Sequence, residues 1–293
     1  GCKSALRVAT QADDDADMKD DNGDDVVVSE NTARDYRGTG LIESVDLEIG
    51  GQRIDKHYGD WMDIWTELSC GQDKRLGKNA MNRNGTVPLE FFFCRNPGLA
   101  LPLIALQYHE VKLTFNLKDN ASNEGDGLRL YVDYIYLDTD ERRRFAQVQH
   151  NMLIDQLQQQ DGNGSGSVRL NFNHPCKELI WTTDDSAADN KKGNNTTLKL
   201  NGHDRFSERG PEYFKQVQTY QHHTNCPDNA DDARPNVYSF ALKPEEHQPS
   251  GTCNFSRIDN AALKTENVVD KVYAVNYNVL RIMSGMGGLA FSN

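Results

Sequence analysis

The sequence predicts an all-β protein built from two antiparallel sandwiches, with short helices in the connections. Short runs of strand character are separated by turn residues such as Asn96-Pro97-Gly98, and no helical crossover pattern lies between them. A predicted helix and the glycine/serine tract DGNGSGS divide the chain into two β-rich halves. A length of 293 residues is also close to the size at which a single core usually splits in two.

The first half opens with a predicted hairpin followed by a short helix. Apolar and polar residues alternate over 45–49, which predicts a half-buried strand, and Gly50-Gly51 predicts the turn after it. Asp60 is a suitable N-cap for a helix that carries Trp61 and Trp65 on one apolar face. We therefore expect both tryptophan rings in the core.

The rest of the first half is predicted to be loop and strand. The polar residues 69–86 are expected to form a long surface loop. Three further strands are expected, at residues 87–94, 99–106 and 108–117.

The middle of the chain is predicted to pass from a strand, residues 130–136, into a helix, Glu141–Gln158. Asp138, Thr139 and Asp140 offer N-cap oxygens before that helix. Its apolar stripe is expected to be buried between the two halves, at Phe145, Val148 and Met152. The predicted division is a first sandwich over residues 1–143, a linker helix over 144–161 and a second sandwich over 162–293.

The second half repeats the pattern of the first. One short helix is expected within residues 204–217, where Pro211 suits a first helical turn. The predicted strands are residues 168–172, 176–181, 196–200, 237–242, 253–258 and 271–283.

Composition excludes some partners. The formal net charge of -12 argues against direct binding of nucleic acid, whose phosphates would be repelled. No apolar run is long enough to cross a bilayer. Residues 11–25 are dense in aspartate and poor in apolar side chains, so we expect this segment to be mobile at the surface.

We predict no catalytic, cofactor-binding or metal-binding residues. His222, His223 and His247, with Glu245-Glu246, could suggest a metal-binding jelly roll, but adjacent histidines on a strand point to opposite faces and the polar residues around them predict a loop. No G-x-S-x-G motif is present that would indicate a serine hydrolase. We therefore expect that the protein is not an enzyme.

Five long segments, in order, carry a resemblance to a known family. They begin at Leu41, Val87, Leu130, Asn236 and Asn276, and they read LIESVDLEIGGQRIDKHYGDW, VPLEFFFCRNPGLALPLIALQYHEVKL, LYVDYIYLDTDERRRFA, NVYSFALKPEEHQPSGTCNFSRIDN and NYNVLRIMSGMGGLAFSN. The chain closely resembles the major capsid proteins of the nucleocytoplasmic large DNA viruses, of the algal-virus, mimivirus and iridovirus type. The resemblance covers nearly all of residues 41–293.

The resemblance implies a double jelly roll, which is two eight-stranded antiparallel sandwiches side by side. It also implies a homotrimer that forms a pseudo-hexagonal capsomer and tiles an icosahedral shell over an internal membrane. The implied partners are neighbouring capsomers and the minor capsid and penton proteins, with no direct contact to nucleic acid and only an indirect one to the membrane. The implied location is the capsid shell of the virion, assembled in the host cytoplasm.

In the family the first roll begins with an arm and further strands before the segment that matches Leu41. Only 40 residues precede that segment here, so we expect the N-terminal part of the first roll to be atypical or incomplete. A second hypothesis, from a different class, is a jelly-roll carbohydrate-binding module or carbohydrate-active enzyme. Such a protein would gather exposed aromatic rings and carboxylates in one cleft, whereas a shell protein would spread long polar loops over one end of both sandwiches.

Overall fold

The computed structural model describes residues 4–8, 38–118, 128–183, 195–226 and 235–291. The acidic segment 11–25, expected to be mobile, lies outside these residues. Every helix within the described ranges is too short or too polar to span a bilayer.

The first half contains two three-stranded antiparallel sheets, in the orders β4-β1-β6 and β3-β2-β5. The strands are β1 Ser4–Val8, β2 Ile42–Ile49, β3 Gln52–Tyr58, β4 Thr86–Pro88, β5 Val111–Leu117 and β6 Leu128–Val132. The helices are α1 Gly38–Leu41, α2 Gly59–Ser69, α3 Gln72–Arg83, α4 Phe92–Arg95 and α5 Thr139–Gln147. Single 3-10 turns cover Pro97–Leu99 and Leu103–Ala105.

The predicted hairpin and the helix after it are confirmed, but the N-cap residue of the helix is Tyr58 and not Asp60, which lies in the first helical turn. Gly50 and Gly51 connect β2 to β3 with φ angles of 59° and 80°, a region that favours glycine. Gly50 is required for space as well, because a Cβ there would lie 2.2 Å from Nδ1 of His109. Trp61 and Trp65 on α2 are buried as expected.

The surface loop predicted for residues 69–86 is wrong, since most of it is helix α3. This helix is polar on most of its faces and buries only Asn82. Asn82 accepts a hydrogen bond from Thr39 N–H at 2.8 Å, and Arg75 pairs with Glu67 at 2.7 Å. Because polar contacts hold the helix in place, its sequence lacks the apolar periodicity that would have predicted it.

The two strands predicted over 87–94 and 99–106 are also mostly wrong. Only Thr86–Pro88 is a strand there, and the remainder is a short helix and two 3-10 turns. Pro88 and Pro102 each lie inside one of the predicted strands and lack the backbone N–H that a strand ladder needs. The run is apolar because its side chains, including Phe91 and Phe92, fill the first core.

The linker helix is shorter than predicted. Asp138 caps α5, accepting hydrogen bonds from the amides of Asp140 and Glu141 at 3.0 and 2.9 Å, but the helix ends at Gln147. Residues His150–Asp161 form strand β7, which pairs antiparallel with β15 (Val269–Met283) over twelve residue pairs. Long-range pairing therefore overrides the helical spacing read from the sequence.

The apolar stripe that was predicted to be buried between the two halves is not buried by other parts of this chain. Phe145 and Val148 are exposed, and Met152 is only partly buried. One arginine of the Arg142–Arg144 run pairs with a carboxylate, since Nη1 of Arg143 lies 3.6 Å from Oδ1 of Asp140 on the surface.

The second half contains a four-stranded sheet, β11-β10-β14-β8, and a six-stranded sheet. In the larger sheet β15 lies between β7 on one side and β9 and β16 on the other, and β9 continues to β12 and β13. The remaining strands are β8 Ser167–Leu170, β9 Pro175–Thr183, β10 Thr196–Leu200, β11 His203–Asp204, β12 Asn236–Ser239, β13 Cys253–Asn254, β14 Ala261–Thr265 and β16 Met286–Leu289. The predicted short helix is confirmed, with its first helical residue at Pro211, and it extends beyond the predicted range. Tyr213–Val217 is π-helical and continues into α6, Gln218–His222.

Three apolar clusters form the interior. The first lies in the first half, the second between the two sheets of the second half, and the third where α2 packs on the large sheet through Trp61, Trp65 and Leu68. Strand β15 supplies both main cores, with Val272 and Ala274 in the second and Leu280 and Ile282 in the first. The domain limits predicted from the sequence stay a prediction, but the two cores share this strand.

Candidate assembly surface

Several large apolar side chains lie exposed in the stretch of chain around α5. From Arg129 to Gln149 no residue is buried, although the stretch contains the sequence LYVDYIYL. Tyr136 is 90% exposed and Ile135 51% exposed. Monomeric soluble proteins rarely leave large apolar patches in water, so this surface is a candidate for contact with another molecule.

Other elements extend this surface. The 3-10 turn Leu103–Ala105 packs against α5, and Leu103 is exposed beside it. The Phe145 ring contacts the His150 ring, and His150 pairs with Ile282 near the end of β15. The exposed residues Met283 and Met286 lie at the turn between β15 and β16, just after Ile282. We name this the α5 surface, defined by Leu103, Tyr131, Tyr134, Ile135, Tyr136, Phe145, Val148, Met283 and Met286.

A second exposed apolar group lies at the opposite edge of the large sheet. Val217 and Tyr220 lie on the helical segment that packs beside β12, and both are exposed. Leu242 follows β12 and is exposed as well, and its carbonyl oxygen lies 3.0 Å from Nδ1 of His222. The α5 surface adjoins β7. Strands β15 and β9 lie between β7 and β12, so the two groups lie near opposite edges of one sheet.

The histidines singled out in the sequence do not converge on a metal. His222 ends helix α6, so the predicted loop is wrong at His222 and correct from His223 to Cys226. His222 is partly buried, whereas His223 is buried between two carboxylates. Among the described residues no group of three histidine, cysteine, aspartate or glutamate side chains could hold a metal ion.

Sequence reasoning missed the partners of His223. Its Nε2 lies 3.0 Å from Oε2 of Glu178 and its Nδ1 lies 2.9 Å from Oε1 of Glu245. Burial alone lowers the pKa of His223, but the attraction of Glu178 and the close contacts with both carboxylates outweigh this and raise the pKa to about 9. Burial raises the pKa of Glu245, yet hydrogen bonds from His223 and Thr224 leave it below its ordinary value.

A second buried ion pair lies on the same strand. Lys177 is fully buried, and its Nζ lies 3.1 Å from Oδ1 of Asp155 and 4.8 Å from the centre of the Tyr277 ring. Burial is the main cause that raises the pKa of Tyr277, to about 12. The two best-formed cavities in the described part of the chain measure only about 10 and 20 Å³, which suits a water molecule and not a substrate.

The comparisons with known proteins agree with the architecture. A family profile described as "Large eukaryotic DNA virus major capsid protein" matches residues 141–288, and one described as "Major capsid protein N-terminus" matches residues 27–138. The major capsid protein of Pyramimonas orientalis virus is 52% identical over 311 residues, an alignment that covers 88% of this chain and 78% of the relative. The chain belongs to this capsid protein family.

Solved structures of the family show the same fold. The VP54 crystal structure of PBCV-1, fitted into a reconstruction of the virophage Sputnik, matches with a TM-score of 0.78 and 34% identity, covering 100% of this chain and 89% of that one. The PBCV-1 virus capsid model matches with a TM-score of 0.77 and 33% identity, covering 100% and 89%. The Faustovirus major capsid protein shares the fold, with a TM-score of 0.70 at 11% identity over 85% of this chain and 72% of that one.

These matches confirm the double jelly roll and the resemblance to viral capsid proteins. The chain is a structural protein of the capsid of a large DNA virus. The comparisons give no support to the carbohydrate-binding alternative.

Proposed function

We propose that three copies of this chain form a closed homotrimer, the pseudo-hexagonal capsomer of an icosahedral shell. The observation that carries the proposal is the α5 surface, a run of exposed tyrosine, isoleucine and phenylalanine side chains in a family of shell proteins. Two similar rolls per chain, taken three times, give six near-equivalent units that fit a hexagonal lattice. Closed cyclic symmetry keeps such an assembly finite before it joins the shell.

The arrangement of the two apolar groups supports a cyclic contact. A three-fold ring needs a heterologous interface, in which one patch of each copy meets a different patch of the next. The α5 surface and the group Val217, Tyr220 and Leu242 lie near opposite edges of the same sheet, so they are two different patches of the kind that such an interface joins. We therefore assign the flanks of the rolls to contacts between copies of this chain.

The remaining partners follow from the same proposal. The capsomers would contact neighbouring capsomers and minor capsid and penton proteins, during assembly in the host cytoplasm. The net charge of -12 supports a shell that makes no direct contact with nucleic acid, and contact with the internal membrane would be indirect. The division of the chain into rolls is proposed near residue 140, between the ranges matched by the two family profiles.

We further propose that the protein has no catalytic activity and needs no cofactor or metal. The supporting observations are the small cavities and the distribution of the histidines. Both ring nitrogens of His223 contact carboxylates, and His222 lies partly buried at a helix end. A capsid family also performs its function by packing, which requires contact surfaces and not a reaction centre.

Light scattering of the purified full chain tests the trimer. We expect a mass about three times the 33.0 kDa of one chain at micromolar concentration. Ile135→Asp places a charge in the α5 surface and should shift the protein toward monomer, because an unpaired charge buried in an apolar contact is costly.

The matched control is Leu76→Asp, since Leu76 is 58% exposed on α3 and lies outside the α5 surface. This variant should remain trimeric, and both variants should keep the circular dichroism spectrum of the parent. A monomeric parent would contradict the homotrimer. A trimeric Ile135→Asp variant would contradict the assignment of the α5 surface.

A further inference from the structure

Three separate parts of the chain meet at the buried histidine. Glu178 comes from β9, His223 from the end of α6 and Glu245 from the connection between β12 and β13. We name these residues the buried ion cluster. Glu245 also accepts hydrogen bonds from the backbone amide of Thr224, at 2.9 Å, and from its hydroxyl group. The cluster therefore fixes the connection that carries Glu245 against the end of the helix.

The same helix end is joined to the first half of the molecule. The Asn225 amide donates to the carbonyl oxygen of Leu68 at 3.0 Å, and the Asn225 side chain donates to the carbonyl oxygen of Glu67 at 2.7 Å. The Trp65 ring on α2 meets the His223 ring edge to face, with 6.5 Å between centres. His223 thus lies where the large sheet, α6 and helix α2 of the first half come together.

Because Glu178 is buried, the stability of the contacts around His223 depends on the charge of the histidine. It is fully buried and lies next to a β-bulge, at which Val275 pairs with Glu178 and Asn276 pairs with Cys176, so that Lys177 is the extra residue. The bulged Lys177 turns to Asp155 of β7, and the cation that approaches Glu178 is His223. A buried carboxylate that loses its counter-ion is strongly destabilising.

We propose that protonated His223 is a charge-dependent clamp that holds the residue 243–250 connection and the end of α6 against helix α2, and that loss of its proton at alkaline pH releases them. This inference concerns the fold of a single chain and does not depend on trimer formation. The charged groups near His223 are Glu178 on β9 and Glu245 on the connection. On the α2 side the facing group is the uncharged Trp65 ring, over which the guanidinium group of Arg95 stacks at 4.1 Å.

The direction of the pH effect follows from the pKa shifts of His223 and Glu245. The pKa of His223 is raised from 6.5 to about 9, so its contribution to stability is complete below pH 6.5 and is lost as the pH rises through about 9. The pKa of Glu245 is lowered from 4.5, so its contribution is present above that pH and is lost on acidification. Raising the pH through about 9 therefore removes the histidine cation from between the two glutamate side chains.

The test compares His223→Gln with His222→Gln in the full-length protein. His222 is the adjacent histidine, partly buried, with its Nδ1 against the carbonyl oxygen of Leu242 and not between the two carboxylates, and its substitution serves as the matched control. For the parent and the control, thermal unfolding should show a midpoint that falls between pH 6.5 and 9. Backbone hydrogen exchange in residues 243–250 should also lose protection over this range, after correction for the intrinsic rise of amide exchange with pH. His223→Gln should lose at least half of this pH dependence.

A second measurement stays informative if His223→Gln fails to fold. Hydrogen exchange at histidine C2, followed by mass spectrometry, reports the pKa of each histidine in the parent chain. We expect His223 to titrate at about 9, and Glu245→Gln to lower that value. A parent His223 that titrates near 6.5, or a His223→Gln variant that folds and keeps the pH dependence of the parent, would overturn the inference.

Discussion

Helices α2 and α5 are both short, both follow a strand, and both show an apolar stripe in the sequence, yet they differ in burial. Helix α2 buries Trp61, Trp65 and Leu68 against the large sheet, whereas α5 buries no residue. The difference lies in what each helix faces: α2 finds its partner within the chain, and the apolar side chains of α5 face outward. An amphipathic stripe therefore predicts a helix and a contact, but not whether that contact belongs to the same chain.

The largest expected effect falls on α2. Trp61→Ala should lower the free energy of unfolding by about 3–5 kcal/mol, because the ring is 1% exposed and packs on Trp65 and Tyr273. Denaturant unfolding of the full chain measures this loss. A loss below about 1 kcal/mol would contradict the close packing of α2 on the sheet.

Phe145→Ala on α5 should cost less, about 1 kcal/mol, since the ring is 37% exposed and its described ring contact is with His150. The same substitution should weaken association, which light scattering on dilution would detect. Equal losses of stability for Trp61→Ala and Phe145→Ala, measured under conditions where the protein is monomeric, would remove the distinction between the two helices.

The smallest effect concerns how each helix begins. Asp138→Ala should lower the free energy of unfolding by about 1 kcal/mol or less, because it removes the side-chain cap of α5. The N-cap residue of α2, Tyr58, provides no such cap. Asp140→Ala is the control, since Asp140 is exposed and does not cap. If Asp138→Ala and Asp140→Ala have equal effects on unfolding, the cap does not stabilise the helix.

Local patterns predicted the elements whose causes are local. The Gly50-Gly51 turn, the tryptophan face of α2 and the long strand β15 all carry their signal within a few residues. Strand β7 was mistaken for helix because LIDQLQQQ fits either period, and its pairing with β15 lies more than one hundred residues away in the chain.

The buried ion cluster could not be predicted for a similar reason. His223 is 45 residues from Glu178 and 22 from Glu245, so neighbouring sequence gave no indication that it is buried. Its sequence context, polar and followed by Pro227, suggested a loop. A signal was present in the unusual hydrophobic surroundings of Glu178 within the strand PCKELIWTT, since a carboxylate in a buried strand requires a cation.

The shared strand β15 has a consequence for synthesis. Domains made on the ribosome ordinarily fold in order from the N-terminus. Here the first core contains Leu280 and Ile282, so the N-terminal half of the protein cannot complete its interior until β15 has emerged. A chain that stops before β15 would leave both interiors open at once. Only polypeptides that extend through β15 would then supply folded subunits for the shell.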